Sequence, residues 1–172
     1  FLMLDVTDYN TQFDKYLSKI ISRTKKIMIL CFNKIDLLTQ QQLSAEKIKI
    51  ENEFSFLKFV PRVFLSAKTS KNIHEPFSVA IDLYKRAKTH IQTSYLNKII
   101  ERICGYKIFK RRTKVGKIYY ATQVGTSPLE IALFVNDKTF FSPSDLKFIE
   151  NKLRQEAGLL NIPIALRLVE RR

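Results

Sequence analysis

Apolar residues in the first half of the chain alternate between two spacings. Phe1 to Asp5 is a short apolar run ending in a carboxylate. Ile27 to Phe32 is continuous enough for a strand buried on both faces, and Val63 to Leu65 is a third run. Between these runs Phe13, Tyr16, Leu17, Ile20 and Ile21 recur at helical spacing, as do Ile50, Phe54 and Leu57. From Asn72 to about His90, Ile73, Phe77, Ala80, Ile81 and Tyr84 share one helical face. This βαβαβα order predicts an α/β fold, a parallel sheet with crossover helices, in which ligands gather at the carboxyl ends of the strands. Asp5, Asn33 and Ser66 all fall there.

From about Gln92 the pattern changes. Tyr95, Leu96, Ile99, Ile100 and Ile103 form an amphipathic helix, followed by a basic stretch from Lys107 to Lys117. Ile118 to Val124 and Ile131 to Val135, with Thr126, Ser127 and Pro128 between them, read as an antiparallel pair. Ser142 before Pro143 predicts a helix N-terminus, and Gly158 its end. A last strand follows at Ile164 to Val169. The second half is therefore a small α+β module of order αββαβ. The change of pattern alone divides the chain into residues 1–91 and 92–172, since no Pro or Gly linker marks the boundary.

Charge sharpens this picture without locating a site. Among 172 residues, Lys and Arg number 30 against 16 Asp and Glu, a formal charge of +14. Such an excess favours a polyanionic partner such as RNA, ribosome or nucleotide. Residues 1–91 hold 15 basic and 9 acidic groups, and residues 92–172 hold 15 and 7, so the excess is shared. Cys31 and Cys104 lack metal-site spacing, and His74 and His90 lack a ligating or catalytic cluster; no metal site is expected. The first apolar run breaks at Asp5, far short of a signal or membrane-spanning stretch. The expectation is a cytoplasmic fragment with no membrane partner.

The chemistry lies in Asn33-Lys34-Ile35-Asp36 and Ser66-Ala67-Lys68. Guanine presents N1–H and the exocyclic N2 amino group side by side, and a carboxylate in their plane accepts both; Asp36 is the candidate. Adenine offers an acceptor at N1 and no N2 group, so it would leave that carboxylate unmatched. Asn33 can tie neighbouring loops together and reach the base edge, and Lys34 can lay its methylenes along one face of the purine. The Ala67 N–H is expected to be free to donate to guanine O6. The tetrapeptide arises by chance in roughly two chains per hundred of this length. What raises its weight is that both motifs follow strands, in the order one sheet requires.

A nucleotide site also needs a glycine-rich phosphate cradle ending in Gly-Lys-Ser/Thr, whose hydroxyl binds magnesium. The four glycines here, Gly105, Gly116, Gly125 and Gly158, are not followed by that pair, and no DxxG element precedes Asn33. No catalytic residue is assigned. In the second half, Lys107, Lys110, Arg111, Arg112, Lys114 and Lys117, with Tyr106 and Phe109 interleaved, are candidates to track an RNA backbone, a solvated loop being the alternative.

These residues resemble the Der (EngA) family of ribosome-associated GTPases, with two consecutive G domains and a C-terminal KH-like domain. The likeness runs from Leu4-Asp5 through both guanine motifs, and its most specific part is Tyr120-Ala121-Thr122-Gln123-Val124-Gly125-Thr126-Ser127-Pro128. Leu133-Phe134-Val135-Asn136 and Ile162-Pro163-Ile164 extend it over essentially the whole chain. It implies a partial P-loop GTPase fold over residues 1–91, a Rossmann-like parallel sheet without its phosphate-loop half. A KH-like domain would follow over residues 92–172. It further implies GTP or GDP as ligand, with Mg2+ only where the upstream half is present, and GTP hydrolysis coupled to assembly of the large ribosomal subunit. The KH-like domain would contact upstream G domains and ribosomal RNA. Era-type GTPases also join a G domain to a KH domain, but with a Gly-x-x-Gly loop, a spacing no two glycines have here.

Overall fold

The computed structural model describes residues 1–9, 12–111, 113–126 and 128–171, with backbone alone at Arg111. It divides into two compact units, Phe1–Tyr84 and Lys85–Arg172. Among the described residues no helix is long and apolar enough to cross a membrane.

The first unit is α/β. Strand β1 (Leu2–Asp5) is followed by helix α1 (Gln12–Arg23) and β2 (Leu30–Asn33). Helix α2 (Gln40–Glu53), β3 (Arg62–Phe64) and α3 (Glu75–Ala87) complete it. The strands are parallel in the order β1-β2-β3, with Asp5 beside Asn33 and Phe32 beside Phe64. Leu4, Leu30 and Phe32 share one core with Leu43, Ile50, Phe54 and Leu57. The Phe32 ring stacks on Phe64 at 5.2 Å and meets Phe54 edge-on at 6.0 Å. A capping box, Thr39 with Gln42, starts α2.

In two helices the predicted apolar face is covered only in part, and its largest residues face out. In α1, Phe13, Tyr16 and Ile20 are exposed, while Leu17 is half-buried, Ile21 packs against the core and Ser18 is fully buried. Its hydroxyl donates to the Asp14 carbonyl at 2.7 Å, so a small polar residue sits there without an unmet hydrogen bond. In α3, Phe77, Ile81 and Tyr84 face outward, and the compact stripe Pro76, Leu83 and Ala87 is buried.

The first helix lying wholly in the second unit is α4 (Thr93–Tyr106). A short antiparallel hairpin, β4 (Phe109–Arg111) with β5 (Lys114–Gly116), lies within the basic stretch read from sequence as one segment. Strands β6 (Ile118–Thr126) and β7 (Leu129–Val135) pair antiparallel. Helix α5 (Pro143–Glu156) then leads to β8 (Ile164–Glu170), which pairs parallel with β7. The core joins Leu96, Ile99 and Ile103 of α4, Ile131 and Leu133 of β7, and Ile149 and Leu153 of α5. Ser142 and Asp145 form the capping box of α5, with Pro143 opening the helix, and Gly158 takes φ +66 just past its end.

Strand β6 is an edge whose backbone is closed by α4. The Asn97 carboxamide accepts from the Ala121 N–H at 2.7 Å and donates to the Ala121 carbonyl at 3.0 Å, mimicking a neighbouring strand. The hairpin is seated by Phe109, whose ring lies 5.1 Å from that of Phe141. A Cβ at Gly116 would stand 2.9 Å from the Phe140 Cβ, so this approach requires glycine. Asn97→Ala leaves both Ala121 groups unmatched. It should destabilise the second unit by about 1–3 kcal/mol, read as a lower urea midpoint at unchanged slope; an unmoved midpoint would contradict the edge role.

Candidate functional site

The first site is built where β1, β2 and β3 end. Asn33 closes β2, and its Oδ1 accepts two backbone N–H groups, from Lys34 at 2.8 Å and from Ala67 at 2.9 Å. One carboxamide oxygen thus joins the loop after β2 to the loop after β3. Two further backbone bonds run alongside: Val6 N–H donates to the Asn33 carbonyl at 2.9 Å, and Leu65 N–H to the Phe32 carbonyl at 2.9 Å.

Lys34 follows in a left-handed conformation, φ 70 and ψ 30, which for a residue with a Cβ costs about 1–2 kcal/mol. Its ammonium lies 2.5 Å from Asp5 Oδ2, and the other Asp5 oxygen accepts from the Thr7 N–H at 2.9 Å and the Thr7 hydroxyl at 2.7 Å. The Lys34 hydrogen bond, followed by that of the Thr7 N–H, holds the Asp5 carboxyl down to about 2, so the pair stays ionised at neutral pH. Sequence reasoning placed Asp5 at this edge but did not find its partner.

Asp36 stands in a single 3-10 turn, Ile35–Leu37, with buried Ile35 as its anchor. The carboxylate is exposed, and its Oδ1 accepts the hydroxyl of fully buried Ser66 at 2.5 Å. That bond, aided by the charges of Lys68 and Lys34, holds the Asp36 carboxyl below the ordinary carboxylate range. Ser66 also accepts from the Thr69 N–H at 3.1 Å, and its own N–H donates to the Lys71 carbonyl at 2.9 Å. Asn72 closes this loop by donating to the Phe64 carbonyl at 2.9 Å. Asn72 was not singled out in the sequence; its only signal there is an asparagine soon after a strand, a residue type that tolerates the left-handed backbone it adopts here, φ 58.

Five of the six guanine candidates, Asn33, Lys34, Asp36, Ser66 and Ala67, are joined by these bonds, and Lys68 is exposed beside them. One expectation is corrected. The Ala67 N–H is not free for guanine O6, because it donates to Asn33.

The basic stretch of the second unit divides. The Lys107 ammonium pairs with Asp145 Oδ1, 5.4 Å from the Phe148 ring centroid and 6.0 Å from that of Phe109. Burial pushes the Asp145 carboxyl up, but Lys107 and Ser142 more than offset it and leave it lowered. Lys107 is thus a half-buried cation with a carboxylate partner inside the domain. Lys110 and Lys114 are exposed on the hairpin. Lys117 is exposed too, its N–H donating to Asn136 Oδ1 at 2.8 Å. Arg112 and the side chain of Arg111 lie outside the described residues, as does Ser127 of the motif from Tyr120 to Pro128.

Residues 90–168 match the family described as KH-domain-like of EngA bacterial GTPase enzymes, C-terminal. The chain is 33% identical over 168 residues to the GTPase Der of Sulfurihydrogenibium sp. (strain YO3AOP1), covering 96% of this chain and 37% of that protein. It is 34% identical over 178 residues to the GTPase Der of Clostridium kluyveri (strain NBRC 12016), covering 99% and 40%. The chain therefore spans somewhat over a third of the length of these curated relatives. A solved structure of Era in complex with MgGDPNP and nucleotides 1506-1542 of 16S ribosomal RNA aligns with 98% of this chain and 63% of its own, at 18% identity and a TM-score of 0.41. So loose a likeness bears on neither site. Residues 90–168 thus match the KH-like domain of EngA GTPases, and nearly all of this chain is similar to part of the proteins named GTPase Der.

Proposed function

We propose that the first unit selects the guanine base of GTP or GDP. The chain would then serve, within a Der-type GTPase of the large ribosomal subunit assembly pathway, as the base-reading part and the KH-like domain. The observation that carries this reading is the exposed Asp36 carboxylate, tethered through Oδ1 to buried Ser66 and adjoining two loops that Asn33 ties together. An oxygen that accepts one hydroxyl keeps a second lone pair, so both Asp36 oxygens can still meet guanine N1–H and N2–H. The Lys34 stem, its ammonium drawn to Asp5, is available to cover one face of the purine.

Hydrolysis is assigned to no residue of this chain. A phosphate cradle, and a hydroxyl for Mg2+, would come from a Gly-Lys-Ser/Thr element that this sequence does not contain. In this reading, the base pocket supplies specificity, and chemistry depends on residues elsewhere in the protein.

Asp36→Asn tests the pocket, because an amide presents a donor that suits the O2 of xanthine and opposes the N2 group of guanine. In calorimetric titrations the variant should lose guanine nucleotide affinity by roughly 100-fold or more and gain affinity for xanthosine diphosphate. Unchanged preference would rule out Asp36 as the base reader.

A second reading, in which the KH-like domain is a non-enzymatic RNA-contacting module of the ribosome, is favoured by the exposure of Lys110 and Lys114 on one hairpin. Replacing both with Gln should reduce the slope of log affinity against log salt for ribosomal RNA by about 1–2. Lys107→Gln should leave that slope in place and lower stability instead. A slope that moves only with Lys107 would reverse this assignment.

A further inference from the structure

We infer that Asp5 is a positioning residue for guanine recognition, holding Lys34 and, through the Lys34 backbone, the turn that aims Asp36. This rests on the guanine reading above and adds to it a strand, β1, that carries neither motif.

Asp5 and Asn33 are register partners at the ends of adjacent parallel strands, so the Asp5 carboxylate stands beside the start of the loop that contains Asp36. The carboxylate is itself fixed: Thr7 holds one oxygen through its N–H and hydroxyl, and Lys34 takes the other at 2.5 Å. The Lys34 side chain is 55% exposed. An ion pair so open to solvent contributes little to stability. What it can do is fix geometry. Lys34 holds a left-handed backbone, φ 70, that a lysine rarely adopts, and it sits between the Asn33 clamp and the turn of Asp36. Lys34 is thus fastened at both ends: its N–H is held by Asn33, and its ammonium by Asp5. Releasing the ammonium lets the residue relax toward an ordinary conformation, which swings Ile35 and Asp36 and moves the carboxylate away from where Ser66 and the base meet it.

The test compares guanosine and inosine diphosphates, which differ only in the N2 amino group that Asp36 would read. Both are titrated into the chain by amide NMR, which also reports whether each variant is folded. Wild type should prefer GDP. Asp5→Asn should lower the GDP-to-IDP affinity ratio roughly threefold to fivefold, the scale of one exposed ion pair. A merely structural defect would weaken both nucleotides equally and leave the ratio alone. Lys34→Gly takes the left-handed backbone unaided. Lys34→Gly also loses the stem that would cover the purine, so it should weaken both nucleotides alike while keeping the wild-type ratio, and the Asp5→Asn, Lys34→Gly double variant should recover that ratio. A wild-type ratio of one would sink the guanine reading and this inference with it. A wild-type preference that survives Asp5→Asn, or a loss of ratio in Lys34→Gly, would overturn the role of Asp5 alone.

Discussion

One carboxamide oxygen organises the first unit's site. Asn33 Oδ1 accepts from Lys34 and Ala67, groups 33 positions apart in sequence, and so sets the distance between the loops that follow β2 and β3. Every other feature of the site leans on that distance. Ser66 can reach Asp36 only if the two loops lie side by side, and the Lys34 whose N–H Asn33 holds is the one that turns left-handed toward Asp5. A parallel sheet brings the strand ends to one edge, and a two-acceptor oxygen at the middle strand converts that edge into a fixed arrangement of groups.

Much of this was legible in the sequence, because it depends on strand order and on which residue ends each strand. The continuous run from Ile27 to Phe32 places Asn33 at a strand end, and Val63 to Leu65 does the same for Ser66. The cap at Ser142 and the helix end at Gly158 were readable for a similar reason, since their signals are local. What sequence could not supply were partners distant along the chain. The Ala67 N–H looked free because its acceptor is a side chain of another loop. The partner of Lys107 was hidden because Asp145 lies 38 positions away. Helix faces were legible only in part for a different reason: apolar residues lie around much of α1 and α3, and spacing does not say which of them are covered. In both, the largest apolar side chains are among the exposed ones.

The second unit shows how the same residue type is assigned to opposite tasks. Lys107 lies against Phe109 and Phe148 and neutralises Asp145, whose carboxylate caps α5. Lys110 and Lys114 extend from the same segment into solvent, on a hairpin whose seat against Phe140 and Phe141 leaves no room for a Cβ at Gly116. Counting charge along the segment would treat all three lysines alike. The packing gives Lys107 a carboxylate partner within the domain and leaves Lys110 and Lys114 exposed.

The Asn33 clamp can be measured without any ligand. Lys34 and Ala67 are exposed residues outside regular helix and strand, so nothing but the side chain of Asn33 should shield their amides from solvent exchange. The account predicts that both amides exchange markedly slower than free peptide in the wild-type chain, and that Asn33→Ala releases the two together while Leu65 in the adjoining backbone stays protected. Free-peptide exchange at Lys34 and Ala67 in the wild type, or protection that survives Asn33→Ala, would contradict it.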